Sequence, residues 1–250
     1  MMVWYKSWRE SWTRFLISAA ALAGFCCLIV FFHRQIRTAS GLPLGMRGHS
    51  YSEHIYYYIY GTAKGLFLIL VAPFLGLGGL LREKSQGTAG FTLALPVSRI
   101  RLIGAQVGIG LLELGILALL PAAILPPVSL LVHESYPFTQ ALHFSVLWFG
   151  CGILVFAASF LFSVTLRGEY SAPLACIITF FAQDLVLGKL LAPYHLKLTW
   201  IAGEFGTMHW DAQRAQLSSG QLPWTSLLIF SLVSFFLLAL AARITQRQDF

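Results

Sequence analysis

Long apolar runs, broken by short polar clusters, set the pattern of this chain. A helix needs about 20 apolar residues to cross a bilayer core. Six runs meet that length: Thr13–Phe32, Thr62–Leu81, Leu102–Leu125, Phe144–Leu166, Ala172–Leu191 and Trp224–Ala242. The pattern predicts an all-α, polytopic membrane protein of six transmembrane helices in a single domain, residues 1–250. The first run is too long and too far from the terminus for a cleaved signal peptide, and His33 and Arg34 follow it instead of small residues. It is therefore expected to be a permanent span. Trp4, Trp8 and Trp12 recur at i, i+4, i+8, which places them on one helical face. Tryptophan favours the headgroup level, so residues 1–12 are expected to form an interfacial helix. Tyr56, Tyr57, Tyr58 and Tyr60 make a similar belt before the second run.

Composition agrees with the pattern. The chain is 57% hydrophobic and 11% charged, against about 25% charged in ordinary soluble domains, and its mean hydropathy is +0.73. The net charge of +7 is spread in short clusters beside apolar runs, which points to an anionic lipid surface and away from nucleic acid. Four cysteines, Cys26, Cys27, Cys151 and Cys176, lie inside apolar runs without disulfide or zinc spacing. With both termini in the cytoplasm, ten bases fall inside (Lys6, Arg9, Arg14, Arg82, Lys84, Arg99, Arg101, Arg167, Arg243, Arg247). Seven then fall outside (Arg34, Arg37, Arg47, Lys64, Lys189, Lys197, Arg214). The positive-inside rule favours that orientation, in a cell (inner or plasma) membrane.

The polar island at 82–101 is the most specific stretch. Arg82 and Lys84 can reach phosphates, and Glu83 lies between them. Gly87 permits a turn, after which Thr88 can cap a short helix. Thr88–Leu95 gives about two turns, roughly 12 Å, with Phe91 and Leu95 on one face. Pro96 ends it; Ser98 is placed to cap the next span, and Arg99 and Arg101 anchor that span's start. Such a knob, joined to two spans, suits docking on a cytosolic partner.

Glu83 followed by Gly87-Thr88, closing on Leu95-Pro96-Val97-Ser98-Arg99, resembles the Glu-x-x-x-Gly-Thr … Leu-Pro-Val-Ser-Arg pattern of ABC-2 type transporter permeases. It follows the second of six runs, as in that family. The resemblance implies a type V exporter-like transmembrane subunit, with residues 82–101 as the cytoplasmic coupling loop and residues 192–223 as an external re-entrant segment of short broken helices. It implies a homo- or heterodimer of permease subunits above separate cytosolic ATPase subunits. ATP and Mg would bind on those ATPases, because this chain lacks Gly-x-x-x-x-Gly-Lys-Ser/Thr. The expected activity is export of an amphipathic, lipid-linked or drug-like compound, with no catalysis, cofactor or metal in this chain. An intramembrane protease or lipid transferase, or a noncatalytic scaffold or sensor, stands as the alternative.

Other signals are weaker. Gly76-Leu77-Gly78-Gly79 has no lysine and reads as close helix packing or a kink. His49, Glu53 and His54 miss the inverzincin spacing by one residue. Ser159, Ser163 and Thr165 have no base nearby in sequence, as a nucleophile would need. Two acids fall inside spans, Glu113 in the third and Asp184 in the fifth. Burying a charge there is costly, so each is expected to face the bundle, a seam or water as an intramembrane polar site, a protonated or paired structural group in the first place, with a substrate contact or proton-linked site as the alternative.

Overall fold

The computed structural model describes residues 2–33, 51–61, 66–76, 99–166, 171–179, 208–211, 216–219, 222 and 224–247. The elements are α1 (Met2–Phe31), α2 (Tyr51–Ile55), which continues as a π-helical stretch Tyr56–Gly61, and α3 (Leu66–Leu75). Then come α4 (Arg99–Leu131), α5 (Phe138–Thr165), a helix over 171–179 (α6), strands β1 (Met208–Asp211) and β2 (Gln216–Ser219), and α7 (Trp224–Arg247). Among the described residues, four helices are long and apolar enough to cross a membrane, over Ser11–Phe31, Ile100–Leu131, Phe138–Thr165 and Leu227–Arg247. This is a helical membrane protein.

Several boundaries differ from those the sequence predicts. Residues 2–12 do not form a helix of their own; α1 runs unbroken through the tryptophan segment for 30 residues, about 45 Å. No glycine or proline interrupts it before Gly24, so nothing in the local sequence turns the chain there. α4 runs on to Leu131 through Pro126 and Pro127 instead of stopping at Leu125. Membrane helices tolerate such prolines where neighbouring groups cover the freed carbonyls. α4 stops two residues before His133, which adopts φ 60°. That left-handed residue closes the helix end, with Val132 and Glu134 donating N–H bonds to the Ser129 carbonyl at 3.1 Å each. In the 192–223 segment, expected as broken helices, β1 and β2 instead pair antiparallel, Met208 with Ser219 and Asp211 with Gln216. Of the second expected span, 62–81, α3 covers Leu66–Leu75; of the fifth, 172–191, α6 covers 171–179.

Helix directions follow from the side-chain contacts. Trp4 packs on Gly108 and Ser11 reaches Glu113, while at the far end His33 meets Tyr51, whose hydroxyl bonds Ser129. α1 and α4 therefore run the same way. α5 returns antiparallel to α4, since Gly152 meets Leu114, and Phe160 and Val164 cluster with Ile103. α7 runs parallel to α5, because Leu227 sits on Gly150 and Ala241 joins Phe160 and Val164. All the Lys and Arg of the described residues (Lys6, Arg9, Arg14, Arg99, Arg101, Arg243, Arg247) fall in one half of this bundle. His33, His54, His133 and His143 fall in the other.

α5 is the central post and α7 the rim: 67% of the α5 span window is buried, against 17% for α7. The outward side of α7 is apolar, with Leu228, Leu232, Phe235 and Phe236 all exposed, as expected where lipid is the solvent. Close approach at the centre depends on glycine. A β-carbon on Gly110 would stand 2.5 Å from the Phe156 ring, which is itself fully buried and has nowhere to go. Gly110→Ala should therefore destabilise the α4–α5 pair by about 1–3 kcal/mol. Phe156→Leu in the same chain should recover part of that loss. The midpoint of detergent unfolding is the measurement, and additive losses in the double variant would contradict the contact.

Candidate functional site

The polar centre of the bundle lies between α1 and α4. α1 buries Ser7, Ser11, Phe15, Leu22, Cys26, Ile29 and His33 along one stripe at helical spacing. The two serines of that stripe lie beside the tryptophan face, where Trp8 and Trp12 are 5.0 Å apart at their ring centroids. Opposite Ser11 stands Glu113, with none of its surface exposed. Ser11 Oγ lies 2.5 Å from Glu113 Oε1. It also lies 3.1 Å from the Ser7 carbonyl and 3.2 Å from the Trp8 carbonyl. A hydroxyl carries one proton, so Ser11 can donate to the carboxyl or to its own helix, and its lone pairs remain to accept. The other carboxyl oxygen, Oε2, has no hydrogen-bond partner among the described residues.

Arg14, one turn beyond Ser11, extends the site to a third helix. Its Nη1 donates to the Phe74 carbonyl at 2.9 Å, and its charge acts on Glu113. Phe74 lies in the last turn of α3, whose final carbonyls have no partner within the helix. Ser159 of α5 donates to the neighbouring Pro73 carbonyl at 2.9 Å. The end of α3 is thus held from both sides, by a cation from α1 and a hydroxyl from α5. The clamp sits just before residues 77–98, which link α3 to α4.

Comparison with known proteins returns no match: none is found among protein-family models, curated proteins or solved structures. Function therefore rests on the residues themselves. Of those predicted from sequence, Glu113 is brought into a defined polar contact, while Asp184 lies outside the described residues. So do Arg82, Glu83, Lys84, Gly87, Thr88, Phe91, Leu95, Pro96 and Ser98 of the island. Arg99 opens α4. Sequence reading missed Ser7, Ser11 and Arg14. Their available signal was the i, i+4 recurrence of two small hydroxyls beside a tryptophan stripe.

A second cluster occupies the histidine half. His33 is buried and donates from Nδ1 to the Val30 carbonyl at 2.9 Å. Its ring meets Tyr51 at 5.5 Å and His54 at 6.3 Å, and His54 meets Tyr58 at 4.7 Å. His54, weighed with His49 and Glu53 as a metal group, is thus part of an aromatic stack; His49 lies outside the described residues. In the π-helical stretch Tyr56 and Tyr60 both pack on Phe144, at 5.2 and 4.9 Å. Burial raises the Tyr51 hydroxyl above its usual range; the Ser129 hydrogen bond opposes this and the charge of Glu134 adds to it. Tyr136 is pushed well above its usual range, again chiefly by burial. Both phenols stay neutral at physiological pH; the Tyr51 hydroxyl is bonded to Ser129, and the buried Tyr136 hydroxyl has no partner among the described residues.

The hydroxyls of Ser159, Ser163 and Thr165 all donate to main-chain carbonyls, of Pro73, Phe160 and Leu161. The clamp on α3 gives a direct test. Removing the Ser159 hydroxyl leaves the Pro73 carbonyl unsatisfied and should cost about 1–3 kcal/mol locally. In Ser159→Ala, amide exchange over 72–76 should speed up while α4 and the rest of α5 keep their protection; hydrogen exchange in nanodiscs reads this.

Proposed function

We propose that this chain is the transmembrane permease subunit of an ATP-driven transporter of the ABC-2 type, exporting an amphipathic substrate. The observation that carries it is the Glu83…Gly87-Thr88…Leu95-Pro96-Val97-Ser98-Arg99 pattern between two membrane helices. Its setting supports the reading. α3 enters the 77–98 segment and α4 leaves it in the half of the bundle that holds every described Lys and Arg. By the positive-inside rule that half belongs to the cytoplasm, where an ATPase could grip the segment. Both ends of the described chain, Met2 and Arg247, belong to the same half.

Helix directions favour six crossings over four. α1 and α4 run the same way, so the chain between them must return once, and α3 runs in the returning direction from the histidine half toward Ser159. α5 and α7 also run the same way, which demands another return between Leu166 and Trp224. Two returns added to four long helices make six. The clamp at the end of α3 supports coupling, since motion of the 77–98 segment would reach α1 through Arg14 and α5 through Ser159. The α5 hydroxyls of Ser159, Ser163 and Thr165, all committed to main-chain carbonyls, weigh against an intramembrane protease, whose nucleophile needs a base in reach.

ATP would be hydrolysed on a separate subunit, and a second permease chain would complete the pathway. In this scheme Phe91 is the apolar contact and Glu83 the charged one. Phe91→Asp should weaken binding of the co-purifying ATPase subunit by at least about tenfold, a loss of about 1.4 kcal/mol typical of an interface anchor. Glu83→Ala should lower the ATPase stimulation that the permease gives. In a cysteine-free background, Gln86→Cys and Ser98→Cys should label from the cytosol alone and Ser40→Cys from the outside alone. Unchanged ATPase binding in Phe91→Asp together with unchanged stimulation in Glu83→Ala, or external labelling at Gln86, would overturn the proposal.

A further inference from the structure

We infer that Glu113 is a reversible proton-binding site, built from α1 and α4 and independent of any ATPase. The carboxyl is completely enclosed, its Oε2 has no partner among the described residues, and its Oε1 faces a serine that can reverse its hydrogen bond. No ligand larger than a proton needs to be accommodated.

The two states use the same atoms. In the ionised state Ser11 Oγ–H donates to Oε1, and the cation of Arg14 lies one turn further along α1. On uptake of one proton from the aqueous phase, an O–H bond forms on Oε1 and no other covalent bond breaks. Oε1–H then donates to Ser11 Oγ, and the Ser11 hydroxyl turns to the Ser7 carbonyl, 3.1 Å away. Every proton in the chain Glu113–Ser11–Ser7 has an acceptor in either state. The local charge changes by one, while Arg14 keeps its hydrogen bond to the Phe74 carbonyl.

Among the described residues, the groups facing Glu113 are few. α1 brings Ser7, Ser11 and the cation Arg14; α3 brings the Phe74 carbonyl through Arg14. α5, packed one turn away on Gly110 and Leu114, brings Phe156 and Gly152 and no titratable group. On α4 itself Gln106 lies two turns earlier on the same face, and its enclosed Oε1 has no partner among the described residues. Ser7, Ser11 and Gln106 thus mark a polar strip from Glu113 toward the half that holds the Lys and Arg, the natural entry for the proton.

The full-length chain alone in nanodiscs, without ATPase, is titrated with pH by infrared difference spectroscopy. A protonated-carboxyl C=O band should grow as pH falls, vanish in Glu113→Gln and persist in Asp184→Asn. Ser11→Ala should move the band frequency, because the acceptor of Oε1–H is gone, and Arg14→Gln should displace its midpoint. Should Glu113→Gln fail to fold, the Ser11→Ala frequency carries the test. A native-minus-Glu113→Gln difference with no titrating C=O component, or an unmoved component in Ser11→Ala, would overturn the site. A positive result would stand even if no ATPase ever bound the 77–98 segment.

Discussion

In hydrocarbon no water is present to satisfy a main-chain carbonyl, and this fold depends on meeting that demand from within. α3 is the critical case. It is 10 residues long in the described chain and carries Pro73 in its last turn, where the Pro73 and Phe74 carbonyls both take side-chain donors. Arg14 and Ser159 supply the missing donors from two different helices. An unsatisfied buried carbonyl costs about 1–3 kcal/mol, so the buried Ser159 contact ties α5 to the end of α3, and the exposed Arg14 contact adds α1. Other hydroxyls, such as Thr179, Ser231, Ser234 and Thr245, fold back on the carbonyl one turn earlier and bind no neighbour. The polar side chains of the spans thus divide into those that soothe their own helix and those that join two.

Packing then decides the rest. Lipid tails are as apolar as leucine, so burial alone does not hold membrane helices together; close contact does. Gly108 under Trp4, Gly110 under Phe156, Gly150 under Leu227 and Gly152 under Leu114 each let a large side chain rest on a backbone. These contacts lie on the α4–α5 axis and its two flanks, which is why α5 is central and α7 remains half wrapped in lipid.

Much of this was legible in the chain. The apolar runs located the four long helices, because a bilayer demands length and uniform apolarity and leaves little else to decide. Glu113 was legible as a problem, a charge where charge is costly, but not as a solution. Its partner Ser11 is 102 residues away, and no local pattern carries a register between two helices. The tryptophan stripe misled in one respect: a belt of aromatics says that a helix meets an interface, not that the helix ends there, and α1 continues without a break. The prolines of α4 misled likewise, since proline stops a helix where water competes for the freed carbonyls and only bends it where none does. The 208–219 ladder had no alternation strong enough to separate it from short helical pieces.

One consequence ties the polar centre to the island. α1 holds α4 through Ser11 and α3 through Arg14, with the two residues on adjacent turns. α3 and α4 are the helices on either side of residues 77–98. A slide of α1 by one helical turn, about 5.4 Å, would break the serine and arginine contacts together, because both are set by the same axial register. Neither can yield alone without stretching the other. A push on the 77–98 segment would therefore meet α1 as a single stop, and release would come at the point where Ser11 or Arg14 can exchange partners. Glu113 is placed beside that point, as the partner of Ser11 on the same stretch of α1 that carries Arg14.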